Sequence, residues 1–520
     1  MNEINIVVVG GGTAGWLSAL FAQRFFPHAK ITLIHDDKID IIGVGESTTP
    51  PMVQLFDFLG ISLAELHKNC GATIKNTVRF TNWNGDGSHY NHGFNTEENL
   101  DIYANSKREI FTNHTVGIEA HKPLLALNEM FKGNNLDSIH FSAVMSHHDK
   151  VPFTKNTDNP QSIEDFTNVS GYGLHFNARE VAKYLEKIGK SRNIEVIIGK
   201  VEESRIDNDG YITNLLLDNK QEVDCNFIID CTGFSRLFVS KTYESPFISF
   251  AKHLPVKRAM PFFLKREGPI PTFTEAVAMK YGWMWKIPVG DRFGCGYVFD
   301  SDYITDEQAY KEICEVTGQQ PDIPKIISFE PGYFTKPWNK NTLAIGLSSG
   351  FLEPLEATSI WITIISLMLF AENIAGFSAR DQNAIDEYNT SFVKSVKSIL
   401  NLVYFHYLTP RDDTEFWKNF TKNNEAPESL KELTDVLSYR TPSRSDQGIT
   451  RQFPAESWFY CTAGQKYFSS EIIEKEYYTY NVDNFVKDNE SQIKDNINNL
   501  ANQCVDHEEF LNSIIKKYND

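Results

Sequence analysis

Val7-Val8-Val9-Gly10-Gly11-Gly12-Thr13-Ala14-Gly15-Trp16 is the stretch whose reading decides the fold. Three β-forming residues run into Gly10-x-Gly12-x-x-Gly15, and an apolar helical pattern carrying Leu17, Leu20 and Phe21 follows. Strand, glycine turn and helix in that order make a dinucleotide fingerprint. Gly10 permits the tight turn, Gly12 offers bare backbone to a pyrophosphate, and Gly15 lets helix and strand pack closely. The helix N-terminus then faces the phosphate charge. The strand from Ile4 to Val9 and a second from Ile31 to Ile34 supply the flanks. The second strand ends Ile34-His35-Asp36-Asp37, so either Asp36 holds the ribose or the ribose is held otherwise.

Outward from this stretch, Gly43-Val44-Gly45-Glu46-Ser47-Thr48-Thr49-Pro50 is either a second cofactor wrap or a flexible loop. Asn177 followed by Glu180 predicts a capped helix through Lys190. A strand is expected from Glu195 to Val201, and a hairpin from Arg205 to Leu217 turning at Asp209-Gly210. The buried run Phe227 to Asp230, closed by Gly233, returns the chain to the nucleotide sheet. Residues 1 to about 80 and 170 to 235 therefore share one sheet, with an insertion between them. Trp283 and Trp285 alternate with Met284 and Lys286, so they share one face of a strand, either in a core or on a cavity wall. Arg292 to Phe299 reads as a second strand of that sheet. Leu343 to Leu347 is another strand, leading through Ser348 to Ser359 into an apolar helix ending at Phe370. From Gln382 onward the pattern is mainly helical.

Composition narrows the function. The chain has 520 residues and a net charge of −18, which disfavours nucleic acid and anionic membranes as partners. Seven cysteines, at 70, 225, 231, 295, 314, 461 and 504, form no CxxC pair. That predicts free thiols in a reducing, cytoplasmic setting and no zinc or other metal site. The N-terminus enters a strand with no signal peptide before it, and the longest apolar run, Ile360 to Phe370, is too short for a bilayer. By spacing alone Lys75 reads as a solvated surface charge, and His92 as a loop histidine. Glu356 reads equally as a buried functional carboxylate or as an acid at a helix N-terminus.

Several segments together resemble the flavin-dependent halogenases of the tryptophan halogenase type. They are Gly10 to Trp16, Gly43 to Thr48, Lys75 ahead of Phe80-x-Asn82-Trp83, Trp283-x-Trp285-x-Ile287-Pro288, and Ser348-Ser349-Gly350-Phe351-Leu352-Glu353-Pro354-Leu355-Glu356. Arg411-Asp412-Asp413-Thr414, between Tyr407 and Trp417, belongs with them. The likeness runs over about the first 420 residues, and the Trp-x-Trp-x-Ile-Pro element separates these enzymes from flavin monooxygenases. The resemblance implies an α/β fold: an FAD-binding Rossmann-like domain of glutathione-reductase type, with an inserted β-sheet region (roughly 85–170 and 235–340) and a mainly helical C-terminal part. The FAD-binding, halide-oxidising module would span 1–380 and the substrate-side part 381–520.

It also implies a chemistry. FADH2 from a separate reductase, O2 and a halide ion yield hypohalous acid, which crosses a tunnel to a small aromatic substrate. Lys75 would meet the oxidant, and Glu356 would orient it and take the proton lost from the ring. FAD would lie on Gly10, Gly12, Thr13, Ala14, Gly15, Asp36, Gly45, Glu46, Ser47, Leu347 and Gly350, and the halide near Thr358 and Ser359. Trp283, Trp285, Ile287, Pro288, Phe351, Glu353 and Pro354 would line the passage, with His92 and Phe94 stacking substrate. Two departures bear on specificity. The family's Glu-Ser-Thr-Gly reads Glu356-Ala357-Thr358-Ser359 here, which opens halide choice towards bromide or iodide. The segment from Thr441 to Trp458 is shortened and lacks the aromatic and acidic grip on free tryptophan, implying an indole or phenol. An aromatic hydroxylase and a non-catalytic flavin binder remain alternatives, and homo-oligomerisation stays open.

Overall fold

Strand Asn5–Val9 lies between Lys30–His35 and Phe227–Asp230, parallel to both, with Val7 opposite Thr32 and Ile228. These coordinates are a computed structural model that describes residues 4–39, 46–94, 124–155, 166–373, 381–443, 445–450 and 452–519. Contacts divide the chain into two units. One is 1–72, 176–254 and 328–397, and the other is 73–175, 255–327 and 398–520.

In the first unit the sheet runs Glu195–Ile198, Lys30–His35, Asn5–Val9, Phe227–Asp230, Thr342–Ala344 and Trp338–Asn339. Its inner strands are apolar on both faces, as a covered parallel sheet requires. Ile6, Val7 and Val8 are wholly buried, each contributing about 1.5–3 kcal/mol of apolar transfer. Helix Thr13–Phe25 packs on helix Ala178–Ser191 closely enough that a β-carbon on Gly189 would fall 2.6 Å from the Trp16 ring. The Asn177 side chain caps the second helix by accepting from the amides of Arg179 and Glu180. The hairpin forms as expected, with Gly210 at φ +87° in its turn.

Three expectations need correction. Glu195 to Val201 is not one strand: Glu195–Ile198 belongs to the parallel sheet, Val201–Ile206 to the hairpin, and the chain changes sheet at Gly199. The strand expected through Leu347 stops at Ala344, because Gly346 at φ +68° turns it into a short helical turn, Gly346–Ser348. The stretch Leu355–Glu372 is long and apolar enough to cross a membrane, unlike the shorter run taken from the sequence. It is 61% buried and packs on helices Thr13–Phe25 and Pro50–Phe58, the behaviour of a core helix.

A seven-stranded sheet runs Ile327–Ser328, Arg258–Lys265, Arg292–Phe299, Gly282–Val289, Phe273–Met279, Thr77–Thr81 and His89–Gly93, all but its edge residue Ser328 in the second unit. From Arg258–Lys265 to His89–Gly93 the pairs are antiparallel except Thr77–Thr81 with Phe273–Met279. One face carries a core of Met260, Phe262, Tyr297, Phe299 and Ile313. Residues 398–520 join this unit, and among those described is the strand Cys504–Asp506, paired with Lys150–Lys155.

Candidate active site

The three fingerprint glycines do three different things. A β-carbon on Gly10, at φ +126°, would lie 2.1 Å from the Cys231 carbonyl oxygen. One on Gly15 would lie 1.8 Å from the Gly10 carbonyl oxygen, and one on Gly12 would meet nothing within 4 Å. Gly10 and Gly15 therefore let strand, turn and helix touch, and Gly12 leaves open space above bare backbone. Gly12 caps helix Thr13–Phe25 without a side-chain hydrogen bond, so the first-turn amides of Thr13, Ala14 and Gly15 are available to an anion. The Asp230 carboxylate fixes the neighbouring loop by accepting from Thr232, Phe238 and Val239. This arrangement fits a dinucleotide pyrophosphate. At the ribose end, His35 faces the turn, its ring 2.7 Å from a β-carbon built on Gly11. Asp36 instead accepts from the Lys38 amide at 2.9 Å. Glu46 and Ser47 form a short strand, and burial pushes the Glu46 carboxyl up to about 7. Gly45 lies outside the described residues.

The glycines make a paired test. Gly15→Ala should destabilise the protein by about 1–3 kcal/mol or more, because overlap with backbone cannot relax. Gly12→Ala should cost less than about 1 kcal/mol of stability, yet weaken binding of a dinucleotide, FAD being the one to titrate, at least about 10-fold, or about 1.4 kcal/mol. Chemical denaturation and flavin fluorescence titration read the two effects separately.

The second small-residue loop comes to the same place. A β-carbon on Gly346 would sit 3.0 Å from that of Ala14, so the turn carrying Leu347 lies against the first turn of the nucleotide helix. Gly350 and Phe351 pair with Gly332–Phe334, and Phe351 meets Phe234 and Phe329 edge-on. Glu353 is fully buried, and its carbonyl accepts the Thr358 hydroxyl at 2.5 Å, closing a turn over Pro354 to Ala357. Inside that turn Glu356 (φ 60°, ψ 21°) and Ala357 (φ 59°, ψ 30°) both adopt the left-handed conformation. Helix Thr358–Glu372 starts immediately afterwards, with Ser359 half-buried in its first turn. Two successive non-glycine residues in this region cost roughly 1–3 kcal/mol each, strain of a kind concentrated at functional sites.

In the second unit Lys75 is 0% exposed, contrary to a solvated surface lysine. It ends strand Thr73–Lys75, with its ammonium 5.0 Å from the centre of the Phe94 ring. A polar chain fixes its surroundings. The Thr73 hydroxyl donates to the Pro288 carbonyl at 3.1 Å and so accepts from His175 Nδ1 at 3.3 Å, while His175 Nε2 is hydrogen-bonded to the Thr274 hydroxyl at 2.9 Å. His507 Nε2 accepts from the Ile74 amide at 2.9 Å, so its Nδ1 donates to the Ile270 carbonyl at 3.0 Å. The His507 ring is thereby neutral, since an amide N–H can only donate. Burial, then the Lys75 charge, hold His175 well below the usual imidazole range. Lys75 is thus tied to the Trp-x-Trp-x-Ile-Pro strand through Thr73 and Pro288. On that strand Trp283 and Trp285 share a face as expected, with ring centres 6.3 Å apart. A β-carbon on Gly296 opposite would collide with the Trp285 ring, and Ile287 is buried. His92 is buried and directed towards His406, with ring centres 6.5 Å apart. Arg411 pairs bidentately with Asp413 and lies over Trp417.

His175, His507 and Thr274 had no signal in the sequence. They lie about a hundred residues or more from Lys75, and isolated histidines carry no local pattern.

Residues 5–476 match the family model described as tryptophan halogenase. The tryptophan 6-halogenase SttH of Streptomyces toxytricini is 29% identical over 454 residues, 85% of each chain. The tryptophan 7-halogenase RebH of Lentzea aerocolonigenes is 28% identical over 485 residues, 88% of each chain. The crystal structure of SttH superposes with a TM-score of 0.81 at 25% identity, covering 98% of this chain and 100% of that one. BrvH, a flavin-dependent halogenase from Brevundimonas sp. BAL3, gives 0.79 at 25% identity, with 99% of each chain covered.

Proposed function

The chain belongs to the tryptophan halogenase family and is a flavin-dependent halogenase. From that premise we propose that it installs a halogen on an electron-rich aromatic of indole or phenol type, with Lys75 and Glu356 as its catalytic residues. The observation that carries this reading is the burial of Lys75 on a strand bonded to the Trp-x-Trp-x-Ile-Pro strand. A lysine so placed has a task other than solvation.

FADH2 with O2, when bound, supplies the two-electron oxidation that turns halide into hypohalous acid. The rest falls to the chain. The amides of Thr13, Ala14 and Gly15 hold the pyrophosphate, and Leu347 and Gly350 border the flavin. The backbone around Thr358 and Ser359 holds the halide. Trp283 and Trp285 keep substrate away from the flavin. The Lys75 ammonium donates to the oxygen of hypohalous acid and makes the halogen electrophilic, and the neutral His175 and His507 add no competing positive charge. Glu356 accepts the proton from the ring carbon that bears the new halogen, restoring aromaticity.

The test is one reaction: protein, FAD, a separate flavin reductase, NADH, O2, the three halides in competition, and a panel of indoles and phenols read by mass spectrometry. Halogenated product is expected, with bromide or iodide preferred over chloride because Ser359 stands where the family has glycine. Oxygenated product would make the protein a hydroxylase. Bound flavin with no product would leave it a flavin binder. Either result overturns the reading.

A further inference from the structure

We propose that His92, His406 and Cys461 form a binding site for a borderline-soft divalent cation, with zinc the metal that best fits the set. The inference goes beyond halogenation and does not depend on it. The three side chains all lie in the second unit, on strand His89–Gly93, at the last residue of helix Gln382–His406, and on helix Ala455–Gly464. All three are buried, and one ligand atom from each lies within 4.8 Å of the other two. Ligands about 2.0–2.3 Å from a tetrahedral zinc stand roughly 3.3–3.8 Å apart. Side-chain movements of about an ångström would therefore close the site. Two imidazoles and a thiolate are a donor set that zinc prefers to harder cations, and three protein ligands leave one position open.

The surroundings hold the ligands in place. Phe80 stacks on the His406 ring at 4.3 Å and 19°. The Gln465 side-chain amide donates to the carbonyls of Phe405 and His406, fixing the helix end. That end is the C-terminus of a 25-residue helix, where a cation is favoured. The second cluster among the described residues, His89, Asp137 and His147, is a weaker candidate. Two of its members are exposed, and Asp137 is already taken up by the amide and side chain of Asn91.

Ligation leaves every oxidation state unchanged. The Cys461 S–H bond breaks, its proton goes to buffer, an S–metal bond forms, and each imidazole binds through a neutral nitrogen. The sequence expectation of no metal site rested on the absence of CxxC spacing. Ligands at 92, 406 and 461 leave no such trace.

The experiment uses the full chain, stripped with chelator and titrated with Co2+ as an optical probe. One equivalent should bind, giving a thiolate-to-cobalt charge-transfer band and tetrahedral visible bands that Zn2+ abolishes by displacement. Cys461→Ser should lose the charge-transfer band, and Asp137→Asn should keep it, with far-UV circular dichroism confirming the fold of each. If Cys461→Ser does not fold, zinc-edge X-ray absorption of the unaltered protein decides. One sulfur at about 2.3 Å with imidazole nitrogens at about 2.0–2.1 Å is expected. No stoichiometric binding, a shell without sulfur, or a spectrum lost with Asp137→Asn and kept with Cys461→Ser overturns the proposal. None of these readouts uses halogenation, so failure here and failure of the catalytic reading are separable.

Discussion

Lys75→Met is expected to lower halogenation at least about 10²–10³-fold, the scale of removing one positioned donor from a dry site, while the flavin goes on consuming oxygen. The magnitude follows from burial. A donor with no exposed surface acts at low local dielectric, where its effect on a polarised oxidant far exceeds that in water. Water cannot take its place in the variant. The fold should survive the change. Methionine fills a similar volume with an unbranched, apolar and adaptable side chain. Three measurements separate the explanations: product by mass spectrometry, oxygen uptake, and thermal unfolding. Lost product with intact unfolding and oxygen uptake is the expected pattern. Retained halogenation would remove Lys75 from the reaction.

How far the sequence led depended on the range over which each feature is determined. The turn from Gly10 to Gly15 was legible because its function resides in consecutive residues. The distinct jobs of the three glycines then followed in space: Gly10 against Cys231, Gly15 against Gly10, Gly12 open. The Asn177 cap and the Trp283–Trp285 face were equally local. The break at Gly199 was not legible, because β-branched residues lie on both sides of it and only pairing partners tell the two strands apart. Lys75 was misread from spacing for the same reason. Its burial depends on His175, Pro288 and His507, which reach it through tertiary contacts. The resemblance to a family singled out Lys75, but not the neutral histidines that give its charge a defined setting.

Glu356→Gln is expected to slow product formation by roughly 10²–10⁴-fold, the contribution of a positioned general base, with oxidant still produced. The backbone makes this substitution informative. Glu356 and Ala357 are both left-handed, and the turn is closed by the bond from the Thr358 hydroxyl to the Glu353 carbonyl. Glutamine has the same length and branching as glutamate, so the strain of roughly 1–3 kcal/mol per residue is the same in both proteins. What changes is the charge and the capacity to accept a proton. A structural carboxylate would show itself as lost stability with little loss of rate. A base would show the reverse, with unfolding midpoints nearly equal and aromatic product scarce. Running the reaction with a hypohalite trap divides the steps further. In the glutamine variant the trap should be halogenated at close to the normal rate while the aromatic substrate is not. If both fall together, Glu356 acts on making or delivering the oxidant. If neither falls, the carboxylate serves the turn alone, and the proton leaves the ring by another route.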